Sequence, residues 1–259
     1  MIDIGANLAS ARFNKDREAV IERSKAAGLR HIVLTGSCEE SCQQVLEMAK
    51  QEPDFLSATT GVHPHHASEW TPELRGLINE LARHEKCVAV GECGLDFNRD
   101  FSPRDQQEQA FIEHLEIAVE LQKPLFLHER DAHERFSAIL QEYRDRLGPV
   151  VVHCFTGTKQ QLVRYLDLDC HIGVTGWVSD KKRGDDLREA VPLIPDNRLM
   201  IETDAPYLMP GNIRPRPKSS RNEPAYLPYV AAKVAELRGI SPEALQALTE
   251  ENTRRFFSI

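Results

Sequence analysis

Leu125-Phe-Leu-His128 and Val150-Val-Val-His153 are two short apolar runs, each closing on a histidine, and they set the reading of the whole chain. Three or four β-favouring residues between turn signals are the length and composition of a buried strand. Such runs recur, beginning near Met1, His31, Phe55, Cys87, Leu125, Val150, His171 and Leu199. The intervals between them carry helical spacing. From Gln106 to Leu121, for example, Ala110, Phe111, Leu115, Ala118 and Leu121 fall mostly three or four residues apart. Helix starts are signalled at Thr71-Pro72, Ser102-Pro103 and Ser241-Pro242, where an N-cap hydroxyl precedes a proline. The last of these opens an extra helix reaching Phe257, beyond the eighth strand.

Strands alternating with helices read as parallel βαβ units. Eight of them in 259 residues predict an α/β fold, a single (β/α)8 TIM barrel over residues 1–259 with a C-terminal helix. An open doubly wound sheet is the alternative. What closes the runs favours the barrel: Gly61-Val-His63-Pro-His65, Gly91-Glu92, His128, His153 and Glu202-Thr-Asp204 all stand where strands finish. In an open sheet, strands ~4.8 Å apart would leave groups five positions apart separated by ~24 Å. A closed sheet gathers them at one mouth.

Composition narrows the classes further. There are 32 Lys+Arg against 40 Asp+Glu, a net charge of −8, with 41% hydrophobic and 28% charged residues, as in ordinary globular domains. No apolar stretch approaches the ~20 residues of a membrane helix. Met1-Ile-Asp-Ile-Gly5 has neither a basic nor an apolar leader region, so no secretory signal is expected. Six cysteines without a CxxC pair suit reduced thiols and a cytoplasmic setting. The acidic balance argues against indiscriminate coating of nucleic acid. Yet Arg214-Pro-Arg216-Pro-Lys218-Ser-Ser-Arg221 places four cations in eight residues just after the eighth strand, a patch suited to a phosphate backbone. Phe97, Trp177 and Tyr207 follow strands four, seven and eight, placed either to stack on bases or to cap the core.

Glu92, Glu202 and Asp204 at one rim pose an electrostatic problem. Two carboxylates about 4 Å apart repel by roughly 4 kcal/mol at an effective dielectric of 20. A cation relieves that repulsion, and His128 and His153 arrive from adjacent strands to complete a mixed His/carboxylate set, the composition of a hydrolytic metal site. Taken singly, each residue has a plainer reading: Glu202 as a salt-bridge partner of Arg130, Asp204 as a turn residue before Ala205-Pro206. Their joint placement at strand ends speaks for the site. His31 and His171 open their strands and belong to the opposite face. His84, His114 and His133 are expected on helix surfaces, and the cysteines as small packing residues.

The motifs Gly61-Val-His-Pro-His65, Gly91-Glu-Cys-Gly-Leu-Asp96, His128-Glu-Arg-Asp-Ala132, His153-Cys-Phe-Thr-Gly157, Ile201-Glu-Thr-Asp-Ala-Pro-Tyr207 and Arg221-Asn-Glu-Pro224 resemble, in order, the TatD family of metal-dependent nucleases. Gly173-Val-Thr-Gly-Trp-Val178 with Arg183-Gly184 resembles the bacterial TatD branch. The resemblance implies a metal-dependent-hydrolase barrel that cleaves phosphodiesters of DNA, in some members also RNA, as a 3′→5′ exonuclease on single strands. It implies Glu92, His128, His153 and Asp204 as metal ligands, with Asp204, Glu92 and Glu202 as the catalytic acids. His63, His65, Arg130 and Arg221 are expected to contact substrate. No membrane and no obligate protein partner are implied. One departure is notable: Asp3-Ile-Gly5-Ala-Asn7 puts glycine and asparagine where the family usually has two histidines. Carboxylate, amide and water oxygens remain there, which favours Mg²⁺, one ion firmly held and a second weaker. Two other readings stay open: a metal-dependent esterase or deacylase on aminoacyl-tRNA-like substrates, and a catalytically weak nucleic-acid-binding barrel.

Overall fold

A computed structural model describes residues 1–259. Strands and helices alternate along the chain as β1 (Ile2–Ala6), α1 (Arg17–Ala26), β2 (His31–Leu34), α2 (Glu39–Gln51), β3 (Leu56–Thr60), α3 (Pro72–Ala82), β4 (Cys87–Asp96), α4 (Arg104–Leu121), β5 (Leu125–Arg130), α5 (His133–Tyr143), β6 (Val150–Val152), α6 (Lys159–Asp167), β7 (Cys170–Val174), α7 (Asp185–Ala190), β8 (Leu199–Ile201), α8 (Leu227–Arg238) and α9 (Pro242–Phe257). The eight strands form one sheet in the order β1 to β8, so neighbours in the sheet are consecutive in sequence. The first and last strands meet again through a parallel bridge between Ala6 and Ala205. That is the strand order of a (β/α)8 barrel; an open doubly wound sheet would reverse partway. No helix is long and apolar enough to cross a membrane.

By contacts the chain divides into two units. One comprises Leu34–His153 with Arg164–His171. Strands β3, β4 and β6 are buried along their whole length; β6 reads accordingly as an unbroken apolar run, whereas β3 carries Ser57, Thr59 and Thr60. Thr71 caps α3 as its hydroxyl and proline signal predicts, accepting the Leu74 N–H. At Ser102-Pro103 the expectation fails, because the proline itself occupies the N-cap of α4. The Ser102 hydroxyl is used elsewhere: it donates to the His65 carbonyl at 3.1 Å and accepts the Ser68 N–H at 3.1 Å. Gln107 then clamps the start of α4 to the end of β4, accepting the Asp96 N–H (2.9 Å) and donating to the Ser102 carbonyl (2.8 Å).

The other unit comprises Met1–Val33, Cys154–Val163 and Ile172–Ile259. Here the Asp204 N–H donates to the Gly5 carbonyl and the Asn7 N–H to the Ala205 carbonyl, so the chain after β8 runs alongside β1. Helix α9 begins where Ser241 accepts the Ala244 N–H. It is held to β8 by Asn252, whose amide donates to the Leu199 carbonyl at 2.8 Å. Arg23 on α1 and Arg221 after β8 share the carboxylates of Asp16 and Glu223 in a four-residue ion network.

His114 lies not on the surface of α4, as its helical position suggested, but wholly buried. Its Nδ1 lies 2.6 Å from the Ala110 carbonyl and its Nε2 accepts the Val62 N–H at 3.0 Å, which fixes the neutral ring with its proton on Nδ1. Burial pushes its pKa down to about 4. The unfolded chain therefore takes up a proton below pH ~6.5 that the native ring refuses, so stability falls as pH drops from 6.5 toward 4 and levels off below. This residue alone should contribute a loss of about 3 kcal/mol between pH 7 and 4. Urea unfolding of wild type and His114→Gln across that range checks it: the variant starts less stable, and its pH dependence should be flatter by that amount.

Candidate metal centre

Glu92 and Asp96 stand four residues apart on β4, so the period of two along a strand places both on one face. The ladder to β5 is irregular between them. Val90 pairs with Leu125 and Cys93 with Leu127, so three steps on β4 match two on β5, a bulge centred on Gly91-Glu92. Glycine is required there. Gly91 has φ +132°, and a Cβ would strike the Phe126 carbonyl oxygen on β5. A Cβ on Gly61 would in turn lie 2.6 Å from the Gly91 Cα. Three backbones thus come together, and the Glu92 N–H leaves the regular ladder to donate to the Gly36 carbonyl at 2.9 Å.

Around Glu92, His128 within β5 and the histidines that follow β3 and β6, His63 and His153, converge. A single oxygen, Glu92 Oε1, has His153 Nε2 at 2.8 Å, His128 Nδ1 at 3.2 Å and His63 Nε2 at 3.4 Å. His128 spans two carboxylates, since its Nε2 lies 3.4 Å from Asp96 Oδ2. Asp96 also pairs with His65 Nε2 at 2.8 Å and accepts the N–H groups of Asn98 and Arg99. The His153 ring stacks on Phe126, centroids 4.4 Å apart. Within this unit the neighbours of Glu92 are thus imidazoles, where the sequence reading had placed it among crowded carboxylates.

Protonation follows from these contacts. Burial works against a charged Glu92, but His63, His153 and His128 together hold it well below the usual carboxylate range. Asp96 is likewise held low against its burial, by His128 and His65 and the Arg99 N–H. Burial depresses His63 well below an ordinary imidazole. His128 goes the other way: burial opposes its charge, but Asp96 and Glu92 raise it. The tautomer of His63 is set by the backbone, because its Nδ1 accepts the His65 N–H at 3.1 Å. A neutral ring then carries its proton on Nε2. His63 is a hydrogen-bond donor aimed into the site.

Of the other predicted residues, Arg130 ends β5 in this unit, while Glu202, Asp204 and Arg221 lie in the second unit, on the chain that follows β8. Glu202 is wholly buried and its carboxylate accepts the N–H of Cys154, the residue after His153, at 2.5 Å. Asp3 accepts from the Thr203 N–H (2.9 Å), the Thr203 hydroxyl (2.5 Å) and the Gly5 N–H (3.2 Å), while burial pushes its pKa up to about 8. Asp204 adopts φ +54° and accepts from the Asn7 amide at 2.9 Å. The Tyr207 N–H donates to its carbonyl, so Asp204 also makes the turn its Ala-Pro sequel suggested. Arg130 lies 3.8 Å from Asp131. Arg221 is committed to Asp16 and Glu223, with its guanidinium 4.9 Å from the Phe13 ring. Trp177 is a cap rather than an open stacking platform: it is buried, donates to the Arg183 carbonyl and carries the Arg183 guanidinium 4.1 Å over its face. Tyr207 is about half exposed, at 51%.

Asp96 and Gln107 were not assigned roles from sequence. The signal for Asp96 was available, four residues after Glu92 in the same strand. That for Gln107, on the helix beyond, was not.

A metal ion fits this donor set. The candidate ligand atoms of His63, Glu92 and His128 all lie within 4.8 Å of one another. Donors around an ion with bonds of ~2.0–2.1 Å stand roughly 2.9–3.4 Å apart, and the distances from Glu92 Oε1 to His153 and His128 are 2.8 and 3.2 Å. His128 presents Nδ1 to Glu92, while its buried Nε2 faces Asp96 Oδ2 at 3.4 Å, too far for a hydrogen bond of proper geometry. His63 is close enough, but its protonated Nε2 makes it a donor to a bound anion rather than a ligand.

Residues 2–258 match the family described as TatD related DNase. The "3′-5′ ssDNA/RNA exonuclease TatD" of Rahnella sp. (strain Y9602) is 50% identical over 259 residues, covering 100% of this chain and 98% of that protein. Among solved structures, YJJV, a TatD homolog from Escherichia coli k12, is similar with a TM-score of 0.90 at 28% identity, covering 100% of this chain and 98% of that one. A TatD family hydrolase from Entamoeba histolytica also reaches 0.90, at 26% identity over 99% of this chain and 97% of that one. With a match along nearly its whole length, the chain belongs to the TatD DNase family.

Proposed function

We propose that the protein is a metal-dependent 3′→5′ exonuclease that hydrolyses phosphodiester bonds of single-stranded DNA and also accepts RNA. The observation that carries this reading is the convergence of three imidazole nitrogens on Glu92 Oε1. The polarity and substrates are supported by the names of relatives half identical over the full chain. Six free thiols support a reducing, cytoplasmic setting.

In this reading Glu92, His128 and His153 hold a divalent cation, which when bound polarises the phosphate and lowers the pKa of a water. Mg²⁺ is our choice, one ion firm and a second weaker, because oxygen donors predominate where Gly5 and Asn7 replace histidines. Asp96 orients His128 and His65 through their Nε2 atoms. His63, neutral with its proton on Nε2, donates to a non-bridging phosphate oxygen. Asp204 follows β8 as His153 follows β6, and strand ends of one polarity carry the working groups of parallel barrels; we assign it acceptance of the proton from the attacking water. Glu202 positions, through the Cys154 amide, the turn that follows His153.

Treatment with a chelator should cut hydrolysis of a 5′-labelled single strand at least 100-fold, with recovery on adding Mg²⁺ and a ladder shortening from the 3′ end. Full activity in the stripped protein would sink the proposal, and efficient cleavage of a D-aminoacyl ester but of no phosphodiester would favour the deacylase reading. A bound ion also stabilises the native state, by about 2.7 kcal/mol at a hundredfold excess over its dissociation constant. Glu92→Gln should therefore abolish the rise in thermal midpoint that Mg²⁺ gives wild type, along with the activity. Asp96→Asn should weaken metal affinity roughly 10–100-fold, the usual cost of losing a group that orients a ligand. Calorimetric titration reads that loss directly, and wild-type affinity in the variant would remove Asp96 from its role.

A further inference from the structure

Besides the metal centre, a strongly basic concavity lies in the unit that contains β8. It is a cleft of about 780 Å³ between the segment after β7 and the segment after β8. Lys181, Lys182, Arg183, Arg214 and Arg216 line it, against one carboxylate, Asp180. Asp180 is already engaged by Arg183 through paired contacts of 2.7 and 3.1 Å. Lys181, Lys182 and Arg216 are exposed, and no carboxylate pairs with them. Elsewhere on the chain, arginines such as Arg75, Arg104, Arg135 and Arg238 each hold a carboxylate. In a protein of net charge −8, uncompensated cations gathered in one cleft repel one another until an anion arrives.

We propose that this cleft takes the sugar–phosphate backbone of a single-stranded nucleic acid, and that Lys181, Lys182 and Arg216 are the residues that neutralise its phosphates. The proposal rests on the nuclease reading and deepens it. It also revises the basic segment: Arg221 is withdrawn from substrate by Asp16 and Glu223, while two lysines after β7, absent from the sequence-based set, join Arg216. The floor suits a backbone rather than stacked bases, since Trp177 is buried under Arg183 and Gly176, Pro210 and Gly211 present little but main chain. Recognition by charge at successive phosphates is indifferent to sequence, as a degradative strand-binding site requires.

The test is binding of a fluorescein-labelled 12-nucleotide oligothymidylate to the full chain in chelator, where no cleavage intervenes. The cleft variant K181Q/K182Q/R216Q should bind more weakly, and its log–log salt slope should be shallower than wild type by about 2, at ~0.7 per phosphate contact on a single strand. The gap between wild type and variant should therefore shrink roughly twentyfold from 50 to 200 mM salt. K25Q/R30Q/K233Q, which changes net charge equally outside the cleft, should keep the wild-type slope. Equal slopes for wild type and the cleft variant would overturn the proposal, as would an equal loss in the control variant. If the triple variant fails to fold, the single exposed substitution Lys182→Gln should still remove about a third of the slope change. Wild type that binds the strand with this salt dependence, yet never degrades it with metal, would overturn the nuclease reading and leave the cleft standing.

Discussion

Close approach of backbone to backbone at Gly61, Gly91 and Phe126 is the constraint on which the centre depends. Without a Cβ at Gly91, β4 can carry an extra residue against β5, and that residue is Glu92. The bulge frees the Glu92 amide for Gly36 and turns its carboxylate to where the ends of β3, β5 and β6 deliver their imidazoles. Strand register and ligand geometry are therefore one property here. A change at either glycine would move Glu92 before it touched any histidine.

Contacts, more than residue type, decide what each titratable group does. His63 and His114 are both buried and both forced to be neutral, but the first has its proton directed at Glu92 and the second at a helix carbonyl. His128 is equally enclosed and yet favours its proton, because carboxylates face both its nitrogens. The carboxylates divide in the same way. Asp3 accepts the Thr203 and Gly5 N–H groups and the Thr203 hydroxyl, and Glu202 accepts the Cys154 N–H, so they hold the chain after β8 and the turn after His153 in place. Glu92 and Asp96 face imidazoles instead, three ring nitrogens round Glu92 Oε1 and two round Asp96 Oδ2.

This division explains how much could be read from the chain. Eight strands, the α3 and α9 starts and the final helix were legible because apolar period and capping chemistry are local. Glu92, His128 and His153 were legible because a parallel barrel puts working residues at strand ends, and strand ends can be counted. Asp96 was within reach by the same period. What escaped depends on partners distant in sequence: Ser102 looked like a cap and instead ties the turn that carries His65, and His114 looked exposed on a helix whose inward side is set by Trp70 and Val62.

The arginines and lysines carry that lesson into electrostatics. Arg214, Arg216, Lys218 and Arg221 are alike in sequence, four cations on a proline-stiffened segment. Arg221 differs because Asp16 and Glu223, 205 and 2 residues away, take its guanidinium from both sides. The ion network it completes ties the segment after β8 to α1, so its charge is cancelled within about one ion-pair distance and contributes little to any field beyond. Arg216 has no such acid, and neither do Lys181 and Lys182 across the cleft. At a Debye length of ~8 Å in physiological salt, only charges without a close partner project a field that an approaching polyanion senses. Net charge is then a poor guide to recognition in this chain: it is −8 overall, yet Lys181, Lys182 and Arg216 share one cleft without an acidic partner.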